Sequence, residues 1–465
     1  MKKLKFHKNL IPYLFIVSLG ILFACSDPGE DSSQLKAVAG NDVNIKVGQS
    51  VALNGNGSTD ASGNTFDFSW RFISKPATST ASLADNTTST PSFTADVQGK
   101  YSIELMISNT VSSLDTVTVS AFKVNTIAGS YTNITPGPDV GIRKFKVALG
   151  ALYATCEFNE IGGVEAKKIA CFNNVVWAAL GCGLEDGSIY DMIEYKGALY
   201  VTGTFDEIGC IAANNIALWD GSEWKPVGSG LTGGDNPFGY TLSIYENELY
   251  VGGQFTNAGG VAAMNIAKWD GTNWSATGSF DGGSVRELQV YKEKLYAGGF
   301  FTTVNGAAIK YIVMFDGTNW SALGSVSELA LRSTGVVRHM AVFKEVLYIS
   351  GDFSSGNDDT SELITWNGSS FSDFGRPFSL SIGNTIRELK VINNILYIGG
   401  DFNSVVAAQA NNILQWDGQN WGIMSQGIIG TVLSIELFKD KVYVGGDFAM
   451  AGGASAENMS IWMPN

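Results

Sequence analysis

Histidine is nearly absent from this chain, with two copies among 465 residues. His7 lies in an N-terminal segment with the character of an export signal, so His339 would be the only histidine of the mature protein. A single imidazole excludes metal sites that are built from several histidines. It also argues against a Ser-His-Asp catalytic triad, because that triad needs its histidine beside the reacting serine.

Long apolar runs are missing as well. The apolar stretch at residues 11–23 is too short to span a bilayer and suits a signal peptide, and no other stretch is long enough. The basic residues before it are Lys2, Lys3, Lys5 and Lys8. The next residues, Leu22-Phe23-Ala24-Cys25, resemble the lipobox of bacterial lipoproteins, which implies removal of residues 1–24 and lipidation of Cys25. An ordinary secretory signal beside an incidental cysteine is the alternative.

Positive charge is scarce too. The formal charge of the chain is −14, and it becomes −18 when the four lysines of the signal peptide are removed. Such an acidic protein is a poor partner for nucleic acid. Residues 25–35 would form a short acidic tether. We therefore expect a protein at the outer membrane or cell surface, facing either side, that is anchored by lipid and not embedded.

A recurring pattern fills most of the remaining chain. Each of seven copies has an apolar run, a Leu-Tyr or Val-Tyr pair, and a glycine-rich strand that ends in phenylalanine. The repeat tyrosines are Tyr153, Tyr200, Tyr250, Tyr296, Tyr348, Tyr397 and Tyr443. The phenylalanines five residues later are Phe158, Phe205, Phe255, Phe301, Phe353, Phe402 and Phe448. Their spacing of 46 to 52 residues, with four short strands per unit, is typical of β-propellers.

The second half of each repeat supplies two further strands. The third ends in an aromatic residue, and the fourth begins with one after a hairpin that is Asp-Gly or Asn-Gly in five copies. Aromatic residues that recur at one position predict packing between sheets, not platforms for sugar rings. The seventh repeat stops at Trp462 without a fourth strand, whereas Ala128–Thr132 imitates that strand with Tyr131 in the tryptophan position. We therefore predict that residues 125–465 form a seven-bladed β-propeller closed by this N-terminal strand.

The segment before the repeats predicts a second all-β domain. Residues 36–124 alternate apolar and polar residues, which favours an immunoglobulin-like β-sandwich. This segment resembles PKD domains at Ala39-Gly40-Asn41-Asp42, Ser58-Thr59-Asp60, Trp70 and Asp96–Tyr101. The resemblance implies a spacer or a weak binder of carbohydrate or protein, with Trp70 between the sheets.

The repeats resemble kelch and galactose-oxidase-like propellers and the propellers of Bacteroidota surface proteins. The double glycine, the aromatic before Asp-Gly and the fourth-strand tryptophan carry this resemblance. Trp269 and Trp274 are closer together than the kelch pattern places its tyrosine and tryptophan. Galactose-oxidase chemistry is excluded, because its copper site needs two histidines and a Tyr-Cys crosslink.

The arginines break the uniformity of the repeats. Four of the seven stand ten residues before a repeat tyrosine, at the predicted beginning of the first strand. This position holds Arg143, Tyr190, Tyr240, Arg286, Arg338, Arg387 and Leu433 in the seven copies. In a propeller it lies at the mouth of the central channel, where guanidinium groups suit carboxylate, sulfate or phosphate and tyrosines suit sugar faces. Alternatively, the arginines are internal struts. Their partners would then be Glu287, Glu388, Asp352 and Asp401.

Four cysteines remain after Cys25, and all lie in the first two repeats. In an exported protein an even, clustered set favours disulfides, and this spacing is not a zinc pattern. Strand neighbours predict a Cys156–Cys171 bridge, and loops on one face predict a Cys182–Cys210 bridge. Four cysteines allow three connectivities, so the pairing stays open.

Two classes of function fit these features. The first is an envelope recognition or scaffold protein whose propeller binds a glycan or a surface protein without catalysis. The second is a polysaccharide lyase or hydrolase with its site at the channel mouth. Asp60 and Asp67 have a spacing that suits Ca²⁺, but two carboxylates in a turn are more often solvated. We expect no metal and no cofactor, and the missing catalytic motif favours recognition.

Overall fold

The computed structural model describes residues 35–464, apart from 325–334, 353–360, 375–384, 403 and 406–407. The predicted signal peptide, Cys25 and nearly all of the acidic tether lie outside the described residues. The described residues form strands and loops without a helix, so none of them belongs to a helix able to cross a membrane. The predicted all-β class is confirmed.

Alternating apolar and polar residues build the first domain. Its main sheet has the strand order Val43–Lys46, Ser112–Phe122, Gly99–Ser108 and Asp67–Ser74. Two smaller pairs are Leu35–Lys36 with Thr59–Asp60 and Ser50–Ala52 with Ser92–Thr94. Trp70 is buried in the core, as predicted. The carboxylate of Asp60 accepts hydrogen bonds from the Ser62 amide at 2.7 Å and the Asn109 side chain at 2.8 Å, so protein donors occupy it.

Seven antiparallel sheets follow within the described residues, which we number blades 1 to 7 with strands A to D. Blade 1 contains Lys144–Ala148, Ala151–Thr155, Ile169–Phe172 and Trp177–Ala179. Blade 2 contains Ser188–Tyr195, Ala198–Thr204, Ile216–Trp219 and Trp224–Pro226. Blade 3 contains Phe238–Tyr245, Glu248–Gln254, Ile266–Trp269 and Trp274–Ala276. Blade 4 contains Ser284–Tyr291, Lys294–Phe300, Ile312–Phe315 and Trp320–Ala322.

The remaining blades have the same strand order. Blade 5 contains Val336–Phe343, Val346–Asp352, Ser361–Trp366 and Phe371–Asp373. Blade 6 contains Thr385–Ile392, Ile395–Asp401, Ile413–Trp416 and Trp421–Met424. Blade 7 contains Ile428–Phe438, Lys441–Ala451 and Met459–Pro464, with Gly129–Asn133 as its fourth strand. Short two-residue strands in the B–C and D–A loops complete the architecture, which is that of a β-propeller.

The N-terminal segment joins two blades. Gly129–Asn133 pairs antiparallel with Met459–Pro464 and places Tyr131 opposite Trp462, so the predicted completion of the last sheet is confirmed. The sequence did not reveal a second pairing, in which Val124–Ile127 runs parallel to strand D of blade 6. The connection between the two domains is therefore part of the propeller.

Apolar clusters lie between neighbouring blades. Seven such clusters occur within the described residues, one of which joins blade 7 to blade 1. The strand D tryptophans are buried, and Trp274 donates its indole N–H to the carbonyl of Val227 in the preceding blade at 3.1 Å. Gly259 permits this packing, because a Cβ there would lie 2.1 Å from the Trp274 ring. These tryptophans pack between sheets, as predicted.

Asparagines that are buried or half-buried form hydrogen bonds between blades that sequence reasoning missed. Asn265 has φ of +66°, accepts the amide of Phe255 at 3.0 Å, and donates to the carbonyl of Gly283 at 2.9 Å. The residues with this role are Asn215, Asn265, Asn412 and Asn458. Asparagine suits the position because its short polar side chain tolerates the left-handed conformation.

One of the two predicted disulfides is present among the described residues. Cys182 and Cys210 are bonded and join the D–A loop of blade 1 to the B–C loop of blade 2. Cys156 and Cys171 are free, so the predicted bridge between them is wrong. Strand register is the reason, because Cys171 lies opposite Tyr153, three residues before Cys156. At about 3.3 Å per residue this offset exceeds the Cα separation that a disulfide allows.

We expect Tyr131→Ala to lower the free energy of unfolding by about 2–4 kcal/mol, because truncation would leave a cavity against Trp462. The two rings lie 4.8 Å apart. Tyr131→Phe is the matched control: the buried hydroxyl has no hydrogen-bond partner, so its removal should not destabilise the protein. Denaturant unfolding of both variants measures the difference. Equal stability of Tyr131→Ala and the wild type would show that this strand contributes nothing.

Candidate functional site

Six of the seven positions at the beginning of strand A share a backbone feature. In blades 2 to 7 the register between strands A and B shifts across one residue, which leaves that residue as a β-bulge. The bulged residues are Tyr190, Tyr240, Arg286, Arg338, Arg387 and Leu433. In blade 1, Arg143 directly precedes strand A. A bulge takes one residue out of the hydrogen-bonding pattern between two strands and changes the direction of its side chain.

These side chains meet at one cavity of about 760 Å³. All six predicted site residues and Leu433 line it, so the prediction that they gather at one opening is confirmed. Arg143 and Arg387 are exposed, whereas Arg286 is half-buried. We call the part of this cavity formed by these residues the mouth.

Four side chains of the mouth form a continuous stack, which we call the ladder. The guanidinium of Arg143 lies 5.4 Å from the ring centroid of Tyr190, and the Tyr190 and Tyr240 rings stack at 5.3 Å. The guanidinium of Arg286 lies 5.0 Å from the Tyr240 centroid. Each tyrosine ring therefore has two stacking partners, and the expectation that these rings contact sugar faces stays a prediction. Their edges and hydroxyls remain for a ligand.

The strut interpretation is right for one arginine of the mouth. Arg338 donates to both carboxylate oxygens of Asp352, at 2.8 and 3.4 Å. No carboxylate among the described residues lies within ion-pair distance of the three others, which are Arg143, Arg286 and Arg387. The Nε of Arg286 is buried and has no hydrogen-bond partner. These three guanidinium groups therefore have no ion-pair partner among the described residues, although Arg143 lies near enough to Glu157 to help lower the pKa of that carboxyl.

A second layer of side chains lies one residue further along each strand A. It consists of Lys144, Asp191, Thr241, Glu287, His339, Glu388 and Ser434. The ammonium of Lys144 is 3.9 Å from both Asp191 and Glu388. Two residues deeper, Lys390 and Glu436 form an ion pair at 2.6 Å. In contrast to the mouth, these deeper charges offset one another.

Burial sets the protonation states of the second layer. It raises the pKa of Glu287 well above its usual range, because desolvation disfavours the ionised carboxylate. It also lowers the pKa of His339 to about 3, with further contributions from Lys144, Arg338 and Arg387. The neighbouring Glu388 raises the pKa of Lys144. At neutral pH, His339 is therefore an uncharged imidazole beneath the arginines.

The described residues hold no group of three or more His, Cys, Asp or Glu side chains that suits a metal ion. Hydrogen bonds between blades instead fix the second layer. Asp191 accepts the Leu242 amide at 2.8 Å, and Thr241 accepts the Leu288 amide at 3.2 Å. These bonds hold the beginnings of neighbouring A strands at a fixed separation.

Comparison with known proteins identifies the first domain. Residues 39–121 match the family model of a PKD domain. No curated protein matches the chain. The chain is similar to a quinonprotein alcohol dehydrogenase-like protein of Bacteroides thetaiotaomicron, with 11% identity over 91% of this chain and 95% of that one and a TM-score of 0.35.

Two further solved structures are similar to parts of the chain. The β-propeller domain of the trilobed protease from Pyrococcus furiosus has 11% identity over 83% of this chain and 96% of that one, with a TM-score of 0.37. A nucleoside hydrolase-related hypothetical protein from Saccharophagus degradans has 16% identity over 18% of this chain, with a TM-score of 0.17. The match spans only 25% of that protein.

We expect Glu287→Gln to stabilise the protein at neutral pH. A carboxyl whose pKa is raised in the folded state binds more protons than in the unfolded state, so its contribution to stability falls as the pH rises above the unfolded pKa. The gain should vanish below about pH 4, where both states are protonated. Melting curves from pH 4 to 8 measure this, with the exposed Glu207→Gln as control. A loss of stability at pH 7 would show that Lys144 stabilises an ionised Glu287.

Proposed function

We propose that this chain is a lipid-anchored envelope protein whose propeller recognises an anionic glycan at the mouth, without catalysis. The observation that carries the proposal is the set of three arginines without carboxylate partners, Arg143, Arg286 and Arg387, at one cavity of a protein with formal charge −14. A cluster of positive side chains on a protein of negative net charge attracts anions to that part of its surface. Guanidinium groups bind carboxylate and sulfate in a bidentate manner.

The charged side chains below the mouth determine how far a glycan can enter the cavity. Lys144 lies between Asp191 and Glu388, and Lys390 is paired with Glu436. A ligand that entered the channel would have to break these contacts. We therefore infer that the glycan stays at the mouth, where N–H and O–H donors are free to bind it.

We further infer that the seven blades close into one ring. Ser434 of blade 7 accepts the Phe145 amide of blade 1 at 2.8 Å, as Thr241 accepts the Leu288 amide between blades 3 and 4. Asn458 donates to the carbonyl of Pro138, as Asn215 donates to Leu231 between blades 2 and 3. The contacts between the last and first blades thus repeat those between internal neighbours, which supports a closed seven-bladed propeller.

A polysaccharide-acting enzyme is the second candidate, and Glu287 favours it. This carboxyl lines the same cavity, next to Arg286, and burial raises its pKa well above the usual range. A carboxyl with a raised pKa is the kind of group that serves as the general acid in glycoside hydrolysis. Product analysis of any glycan that binds separates the two candidates, because recognition leaves the chain length of the glycan unchanged.

We expect Arg387→Ala to weaken binding of an anionic polysaccharide by about 10- to 100-fold, since a charge-assisted hydrogen bond contributes about 1.5–3 kcal/mol. Arg387 is exposed and has no carboxylate partner among the described residues, so the melting temperature of the variant should stay unchanged. Calorimetric titration with polygalacturonate, dextran sulfate and neutral dextran at two salt concentrations measures this. Arg71→Ala in the sandwich is the control. The proposal fails if no anionic polymer binds.

We propose anchoring through Cys25, with the PKD-like domain as a spacer between lipid and propeller. In a bacterial host, Cys25→Ser should abolish labelling of the protein by radioactive palmitate, because the sulfur that carries the lipid is removed. It should also release the protein from the membrane fraction. Absence of label from the wild-type protein would contradict the anchor.

A further inference from the structure

The ladder extends across four blades. It runs from blade 1 to blade 4, through successive separations of 5.4, 5.3 and 5.0 Å between Arg143, Tyr190, Tyr240 and Arg286. Two aromatic rings therefore separate the terminal guanidinium groups. A small anion that contacts one of them does not reach the other.

Stacking prepares both terminal arginines for a ligand. A guanidinium that lies over a ring is restrained by the cation–π interaction while its N–H edge stays available for a planar anion. Phe238 supports the ladder from the side, with its ring 4.6 Å from that of Tyr240 and nearly perpendicular to it. Neither Tyr190 nor Tyr240 uses its hydroxyl in a hydrogen bond to another described residue. Two hydroxyls thus lie between two fixed cations.

We infer that the ladder is a binding platform with several subsites for a linear glycan that carries a carboxylate on successive sugar units. The inference rests on the proposed function and names the ligand class of that site. One carboxylate would bind at Arg143 and another at Arg286, while sugar hydroxyls between them meet the two tyrosine hydroxyls. Steps of about 5 Å suit a chain of sugar units that lies along the ladder.

Single-stranded nucleic acid is a poorer match for the same surface. Proteins that bind it offer aromatic faces on which the bases stack. Here the faces of Tyr190 and Tyr240 are covered by each other and by the arginines. What the ladder presents is charge and hydroxyls, which are the groups that an acidic sugar chain recognises.

Titration with galacturonic acid and its oligomers of two to six units tests the inference. A chain long enough to reach both arginines should bind at least about tenfold more tightly than the monomer, since its second contact forms within one complex. Arg143→Gln and Arg286→Gln should each reduce the affinity of the hexamer and remove most of its dependence on length. Arg387→Gln, outside the ladder, is the matched control: it should weaken binding and leave the length dependence intact.

The outcomes separate the inference from the proposed function. Equal affinity of monomer and hexamer, or a length dependence that survives both ladder variants, would overturn the platform and leave anion binding in place. No binding by any oligomer or by dextran sulfate would overturn the proposed function itself. Tyr240→Phe provides a test that does not disturb the fold, because it keeps the stacked ring and removes only one hydroxyl. It should weaken binding of the hexamer by several-fold.

Discussion

The β-bulge at the beginning of strand A is the constraint on which the site depends. In a regular antiparallel strand pair, successive side chains would alternate between the two faces of the sheet. One extra residue in each of blades 2 to 7 instead releases a side chain at the mouth. Tyr190, Tyr240 and Arg286 are three such residues in succession, which is why they can stack on one another across blades. Because the bulge recurs in successive blades, the released side chains form one continuous surface at the mouth.

The rest of the propeller holds these bulges at a fixed spacing. Asparagines such as Asn265 and tryptophans such as Trp274 form hydrogen bonds between several pairs of neighbouring blades. Side chains of the second layer accept amides of the next blade, as Thr241 does from Leu288. Since polar groups buried in this way are costly to leave unpaired, the separation of neighbouring blades is tightly defined. The distances between the side chains of the ladder are set by that separation of the blades. At its two ends, Arg143 and Arg286 are held by cation–π contacts and do not need a carboxylate partner.

Much of this fold could be predicted from the sequence because the repeat is regular. Tyr131 identified the strand that completes blade 7, since it occupies the position of a recurrent tryptophan. The same alignment placed Arg143, Arg286 and Arg387 at one opening. It could not show the bulges, which are defined by pairing with a partner strand and leave no mark in one strand alone.

Other features depended on register and on contacts between blades. Cys156 directly follows strand B of blade 1 and lies three residues out of register with Cys171 on strand C, a difference that cysteine counting does not reveal. The hydrogen bonds of asparagines between blades were missed because Lys168 and Tyr311 take the same left-handed backbone conformation in other copies. The pairing of Arg338 with Asp352, but not of Arg387 with Asp401, likewise follows from side-chain geometry that equal spacing in the sequence conceals.

The central claim is that the mouth holds arginines without ion-pair partners, and that these arginines bind anions. Anomalous diffraction from crystals soaked in sodium bromide tests it most directly. The account predicts bromide beside Arg143, Arg286 and Arg387, and none between Arg338 and Asp352, where a carboxylate already occupies the guanidinium. Bromide at scattered surface lysines with none at the mouth would contradict it.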